Sequence, residues 1–213
     1  MIRSESNAAM WTLVVVTVLV TVLSAINPHD YATWFFELML GWIGVGVLVA
    51  IRPRLRFSGL IYYVCAVHVV VLGLGAHYTY AEMPVFNWLK EAWDLSRNHF
   101  DRVGHFFQGF TPALLVREVF IRRTGLRRGK LLALVSIALP LAFSALYEIL
   151  EAGWVIAFYP QEGPSWLGMQ GDIWDAQWDM FMAFSGATVA VLGFSRLHDR
   201  SMRVLADDRD EAK

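Results

Sequence analysis

Six apolar runs, each about the twenty residues that an α-helix needs to cross a hydrocarbon core ~30 Å thick, dominate this chain. They fall at about residues 8–26, 33–51, 57–76, 101–121, 131–158 and 176–197. In lipid every backbone N–H and C=O must find a partner within the protein, so runs of this kind predict helices and not open sheet. With 213 residues, 56% of them hydrophobic, and a mean hydropathy of +0.45, the chain is too apolar for a soluble domain and too short for two membrane domains. The expected fold is therefore all-α: one transmembrane domain over residues 1–213, a bundle of about six membrane-spanning helices.

The opening stretch MIRSESNAAMWTLVVVTVLVTVLSAI lacks a small-x-small cleavage site and is long enough to span, which predicts an uncleaved first helix. Cys65 is the single cysteine, so an intramolecular disulfide and a cysteine metal cage are both excluded. The fourth run, FDRVGHFFQGFTPALLVREVFIR, carries charge at both ends and Pro112 in the middle. Basic residues argue for keeping it. With six spans, fifteen of the 18 lysines and arginines fall on one side, among them Arg52, Arg54, Arg56, the six from Arg117 to Lys130, Arg196 and Lys213. Lys90, Arg97 and Arg102 remain on the other. The positive-inside rule then expects both termini in the cytoplasm of a multi-pass inner-membrane protein. Trp34, Trp88, Trp93, Trp154, Trp166, Trp174 and Trp178 fall at the opposite side, as an outer aromatic belt would. PVFNWLKEAWDL, from Pro84, predicts a short interfacial helix, and YPQEGPSWLGMQGD, from Tyr159, a loop with tight turns.

Most of the unusual polar residues collect near that outer side. His77, Tyr78 and Tyr80 follow the third span; Asp101, Arg102 and His105 open the fourth; Glu148 and Glu151 lie near the end of the fifth; Asp172, Asp175 and Asp179 lead into the sixth. The spacings i, i+3 and i+4 place Asp101 with His105, and Glu148 with Glu151, on shared helix faces. Ionisable groups at this depth are expensive and face a cavity or one another. Two carboxylates ~6 Å apart repel by roughly 3 kcal/mol at an effective dielectric near 20, so six of them need a remedy. Protonation, pairing with Arg102 and a charged histidine, or a divalent cation would each serve. The cation is the most economical, because one ion neutralises two charges and carboxylate plus imidazole suits Mn, Fe, Zn or Mg. Structural roles compete with this reading: Asp101 as a helix N-cap, Asp172 as an Asx-turn, and Arg117 with Glu118 as an interfacial ion pair.

The stretches DRVGHFFQGFTPALLVRE, YEILE and LGMQGDIWDAQWDM followed by AFSGA resemble the YjdF-type family of bacterial inner-membrane proteins over nearly the whole chain. That family is known as a domain of unknown function, so the resemblance implies location and helical architecture and no reaction. The chain is also similar, more distantly, to VanZ-like membrane proteins, whose pattern runs D-K-x-x-H, E-x-x-Q and D-x-x-x-N-x-x-G. Asp101, Arg102 and His105, then Glu148 and Glu151, then Asp175, Asp179 and Met182 stand at those places. Glutamate for glutamine and aspartate for asparagine add negative charge.

Three functions compete. In the first, a metal-assisted hydrolase or transferase acts on a lipid or lipid-linked envelope substrate. His105, Glu148, Asp175 and Asp179 would hold the divalent ion, Asp101 or Glu151 would act as base, Arg102 would face a phosphate, and His77, Tyr80 and Asp172 would stand close by. In the second, the cluster clamps helices in a non-catalytic scaffold. In the third, an ion-coupled transporter, acids at the midplane and an inverted repeat are expected, and neither is seen. G-x-S-x-G, H-E-x-x-H and P-loop patterns are absent, and the basic residues lack the aromatic interleaving that nucleic acid requires.

Overall fold

The computed structural model describes residues 3–158, 160–161 and 167–210. Among the described residues there are seven α-helices and no strand. They are α1 Arg3–Ser24, α2 Tyr31–Ile51, α3 Gly59–Tyr78, α4 Pro84–Ala92, α5 Phe100–Val119, α6 Lys130–Phe158 and α7 Asp175–Asp210. Short 3₁₀ turns occupy Tyr80–Glu82 and Met169–Gly171, and a single π turn, Phe120–Thr124, extends α5. Of the loop expected over residues 159–172, Tyr159 and residues 162–166, with Trp166 among them, lie outside the described residues, as does Lys213.

Five helices are long and apolar enough to cross a membrane: α1, α2, α3, α6 and α7. The chain is thus a polytopic membrane protein. Helix α5, the sixth expected span, has 20 residues but falls below the others in hydropathy, because it carries Asp101, Arg102, His105, Arg117 and Glu118. The short helix expected at Pro84 is α4. Proline at its first position gives up an N–H that would have been an orphan in any case.

The chain divides into two compact units, Met1–Tyr80 with Gly193–Lys213, and Ala81–Leu192. In the first, α1 and α2 both pack on α3, the most enclosed of the three. Asp30 caps α2 by accepting from the Thr33 N–H at 2.7 Å. The indole N–H groups of Trp34 and Trp42 donate to Ser24 Oγ at 2.9 Å and Thr21 Oγ1 at 2.8 Å, so neither is left unbonded in an apolar setting. The far end of α7 is pinned where α3 begins, as the Leu60 N–H donates to Ser201 Oγ at 3.1 Å. Large apolar side chains on α1 and α2, including Trp11, Val18, Leu23, Phe36 and Ile43, point outward, as lipid-facing surfaces require. His77 Nδ1 lies 3.0 Å from the Ser24 carbonyl oxygen, and the Tyr80 ring closes over Gly75.

The second unit is built from α4, α5, α6 and the first half of α7. Helices α5 and α7 touch backbone to backbone: a Cβ placed on Gly109 would lie 1.8 Å from the Ala183 carbonyl oxygen, and one on Gly186 would lie 2.0 Å from that of Phe106. Gly109 and Ala113 on α5 and Ala183, Gly186, Ala187 and Ala190 on α7 are all buried, and the Gly109–Ala183 and Gly186–Phe106 approaches make a small-residue seam of the kind that lets membrane helices come close. After the π turn, Gly125 takes a left-handed φ of 69° and stops the helix.

Candidate functional site

Local hydrogen bonds aim the polar residues of the second unit before any charge pairs form. Asn98, fully buried, is the hub of the turn before α5. Its side chain donates to the Met83 carbonyl at 3.0 Å and to Asn87 Oδ1 at 2.7 Å, while its Oδ1 accepts from the Phe100 N–H at 3.0 Å. Its backbone exchanges two bonds with the Gln170 side chain, N–H to Oε1 at 2.9 Å and C=O from Nε2 at 3.0 Å. This clasp ties the start of α5 to the turn before α7. Asn98 Oδ1 therefore takes the first N–H of α5, whereas the Asp101 carboxylate, considered as a cap from the sequence, turns to other partners. Replacing Asn98 by alanine orphans a buried backbone N–H and a buried carbonyl, and should cost about 2–4 kcal/mol at roughly 1–2 kcal/mol for each group. Thermal unfolding of the purified protein checks it; a melting temperature equal to that of the parent would contradict the role.

Around this clasp four aspartates and two arginines interlock. Arg97 Nη1 lies 2.7 Å from Asp175 Oδ1 and 3.1 Å from Asp172 Oδ2, with Nη2 3.7 Å from Asp101 Oδ2. Arg102 Nη2 lies 2.9 Å from Asp175 Oδ1 and 3.2 Å from Asp172 Oδ2, while its Nη1 is 3.4 Å from Asp101 Oδ2 and pairs directly with Asp179 Oδ1. Asp175 also accepts from the Met169 N–H at 3.1 Å. Both guanidinium groups are buried, so the pairs form away from most of the water that would screen them.

Asp172 lies outside the membrane-spanning segments. The Trp174 N–H that its Oδ1 accepts holds its carboxyl below the usual carboxylate range, and the two arginines reinforce this. It is thus an Asx-turn and an ion-pair partner together. His99, beside the same arginines, is held below the ordinary imidazole value by burial and by their positive charge.

On α5 and α7 each of two carboxylates is divided. Asp101 turns Oδ2 to the arginines and Oδ1 to His105; Asp179 turns Oδ1 to Arg102 and Oδ2 to His105. His105 Nε2 lies 3.5 Å from Asp101 Oδ1 and 3.7 Å from Asp179 Oδ2. Both are longer than the usual ~2.7–3.2 Å, so the Asp101–His105 bond is a long one. Both are also close to the ~3.4 Å that separates neighbouring donors each ~2.1 Å from one tetrahedral ion. The three donor atoms lie within 4.8 Å of one another, and Asp101, His105 and Asp179 are the group among the described residues able to share a metal ion.

The residues proposed from the sequence separate into three sets. Asp101, Arg102, His105, Asp172, Asp175 and Asp179 meet in the second unit. Asp175, expected as a metal ligand, instead has both oxygens engaged by the two arginines and Met169, and Arg102, expected to face a phosphate, is spent on four carboxylates. Glu148 and Glu151, on α6, lie near enough to interact electrostatically with His105, and Glu148 Oε1 is buried without a hydrogen-bond partner. His77 and Tyr80 belong to the first unit. Sequence reasoning overlooked Arg97, counted there only as one of three outer basic residues, and the signal for it was its i, i+4 spacing to Asp101. Asn98 and Gln170 carried no signal, because their bonds join segments more than seventy residues apart.

The chain is 37% identical over 203 residues to the inner membrane protein YjdF of Escherichia coli (strain K12), an alignment covering 95% of this chain and 97% of that one. No solved structure gives a significant match. Residues 9–200 match the model for the family described as predicted membrane protein (DUF2238). With that match running from α1 into α7, and taking in every residue of the ion-pair cluster, the chain belongs to the DUF2238 family of membrane proteins.

Proposed function

We propose that this is an inner-membrane enzyme, a metal-assisted hydrolase or transferase whose site opens toward the outer leaflet and acts on a lipid or lipid-linked envelope substrate. The observation that carries this reading is the convergence of Asp101 Oδ1, His105 Nε2 and Asp179 Oδ2, which lie within 4.8 Å of one another, close enough to share one ion. The relative's name supports an inner-membrane location, and the segregation of basic residues supports cytoplasmic termini. A divalent ion held there would lower the pKa of a bound water toward ~7 and polarise an ester or phosphoryl oxygen. Glu151 or Glu148, reaching in from α6, would take the proton from that water. Arg102 and Arg97 hold the ligand carboxylates in orientation, as outer-sphere partners of metal sites do. The exposed Trp88 and Trp93 at and after α4 suit a lipid interface, where substrate would arrive.

Metal content and calorimetric titration of the purified, chelator-stripped protein with Zn²⁺ and Mn²⁺ test the reading. One ion per chain is expected, with His105→Ala and Asp179→Asn each weakening binding by at least ~100-fold, as loss of one of three ligands should. Absence of saturable binding at micromolar ion would remove the enzyme reading.

The arginine lattice favours a second reading, a non-catalytic clamp between α5 and α7, since Arg97 and Arg102 neutralise much of the cluster without any ion. In that case chelation leaves the melting temperature unchanged, whereas an intact metal site loses stability with its ion.

A further inference from the structure

A second polar feature of the Ala81–Leu192 unit is left unused by the ion site. Ser136, Pro140, Ser144 and Glu148 recur at every fourth residue of α6 and so share one stripe. Ser136 and Ser144 are fully buried, yet neither hydroxyl has a hydrogen-bond partner. The same is true of the buried Oγ1 atoms of Thr111 on α5 and Thr188 on α7. A serine or threonine hydroxyl in a helix ordinarily turns back to the carbonyl four residues before it, as Thr17 and Ser185 do here. Native interiors carry few polar atoms without partners, and four such hydroxyls in one small unit ask for a common explanation.

Two prolines sharpen the pattern. Pro140 has no N–H to give to the Ser136 carbonyl, and Pro112 has none for that of Gln108, so each helix releases a carbonyl beside an unbonded hydroxyl. Helices α5 and α6 pack on each other, and Glu148 interacts with His105, which sets their register. Pro112 then lies ~10 Å past His105 and Pro140 ~12 Å back from Glu148, at the same depth. Continuing, Ser136 lies ~18 Å from Glu148 and Glu118 ~20 Å from His105. The series ends level with Glu118, which is fully buried and paired with Arg122 of the π turn. At membrane depth, freed backbone and hydroxyl groups are satisfied by ordered water when neighbouring side chains do not reach them.

We propose that this unit encloses a file of water molecules along Ser144, Thr111, Ser136 and Thr188 that carries protons between its Asp101 end and its Glu118 end. Each step passes one proton from a hydrated oxygen to the next while the hydroxyls rotate, so one proton leaves at one end for each that enters at the other. No oxidant or second substrate takes part. Between the level of Glu148 and that of Arg117, which stands beside Glu118, the three helices place no charged side chain, so an alkali cation would shed its hydration shell against hydroxyls alone, and the file is selective for protons.

The full chain in liposomes, loaded with a pH-sensitive dye and clamped with potassium and valinomycin, tests this. Chelator present throughout separates the result from the metal reading, which can fail without affecting it. An imposed pH gradient is expected to collapse several-fold faster than in protein-free liposomes, and the combined Thr111→Val, Ser136→Ala and Ser144→Ala substitutions to slow it toward the protein-free rate. A gradient that persists as long as in protein-free liposomes would overturn the proposal, as would sodium flux equal to proton flux. The stability of the same variant gives an independent check. Hydroxyls bonded to water leave the melting temperature unchanged or lowered when removed, whereas a rise would mean that they are dry and would also overturn it.

Discussion

Arg102→Ala is expected to lower the stability of the purified protein by about 3–5 kcal/mol, the penalty for removing one partner of a buried ion pair. For a chain of this size that corresponds to a melting temperature lower by roughly 10 °C. The reason is the number of groups that depend on it. Arg102 reaches Asp101, Asp172, Asp175 and Asp179, whereas Arg97 reaches the first three only. Without Arg102, Asp179 keeps His105 as its ionic partner at 3.7 Å, and its Oδ1 loses the guanidinium it faces. Arg102→Lys separates charge from geometry: a lysine supplies the charge but not the planar fork that spans Asp175 with one nitrogen and Asp179 with the other. It should recover only part of the loss. A second substitution that removes the stranded charge, Arg102→Met with Asp179→Asn, should recover more than lysine does. Equal stability of Arg102→Ala and the parent, measured by thermal unfolding in the same detergent, would show that the carboxylates are compensated from elsewhere.

The cluster also shows which parts of such a site can be read from a sequence. Helices declare themselves through twenty-residue apolar runs, because the lipid requirement leaves a chain no other way to satisfy its backbone. That Asp101, His105 and Asp179 are site candidates followed from i, i+4 spacing on one helix and from aspartates leading into another, although the sequence made Asp101 a base and set Glu148 and Asp175 among the ligands. What spacing could not give was the partition of charge. A list of six acids against one arginine pointed to a divalent cation held by Glu148, Asp175 and Asp179 with His105. The fold brings Arg97 inward, and Asp172 and Asp175 are then neutralised by guanidinium, leaving a smaller donor set of three. Arg97 occupies that position because Asn98 and Gln170 clasp the two flanking turns, and such long-range amide pairs leave no periodic trace. The left-handed residue within that clasp, Gln170 at φ 56°, is equally silent, since glutamine has no propensity that announces such a turn.

Helix α5 illustrates a different limit. Charge at both ends and Pro112 set this run apart from the other five, yet most of its polar residues are buried: Asp101, Arg102, Thr111, Arg117 and Glu118. Hydropathy measures a helix against lipid, whereas α5 is solvated by protein. Arg117 and Glu118, expected as an interfacial pair, are buried, and Glu118 reaches Arg122 one turn on through the π turn. Such turns concentrate where a helix must re-aim a side chain.

The seam between α5 and α7 sets up a contest between two effects of opposite sign. A glycine inside a helix is worse than alanine by about 1 kcal/mol, so Gly→Ala should stabilise wherever the added methyl finds space. Gly153 on α6 is such a place, since a methyl there would meet nothing within 4 Å, and Gly153→Ala should be neutral or slightly stabilising. At Gly186 the same methyl would meet the Phe106 carbonyl oxygen at 2.0 Å, and at Gly109 the Ala183 carbonyl oxygen at 1.8 Å. Both obstacles are backbone, which cannot rotate aside, so the helices must move apart by about 1 Å to restore ordinary contact. The loss of packing along the seam then outweighs the helix gain. Gly186→Ala should cost about 1–3 kcal/mol and Gly186→Ile more, as overpacked sites do. The consequence reaches the proposed ion site, because α5 supplies Asp101 and His105 while α7 supplies Asp179. Gly109 lies one turn beyond His105 and Ala183 one turn beyond Asp179, so a displacement at the seam widens the His105–Asp179 separation directly. A site whose donors must stay within ~0.5 Å of their places does not tolerate that shift. Gly186→Ala is therefore expected to weaken Zn²⁺ binding by at least ~10-fold while Gly153→Ala leaves it unchanged. Calorimetric titration of the two variants side by side decides the matter, and equal affinities would mean that the ion site does not depend on the α5–α7 seam.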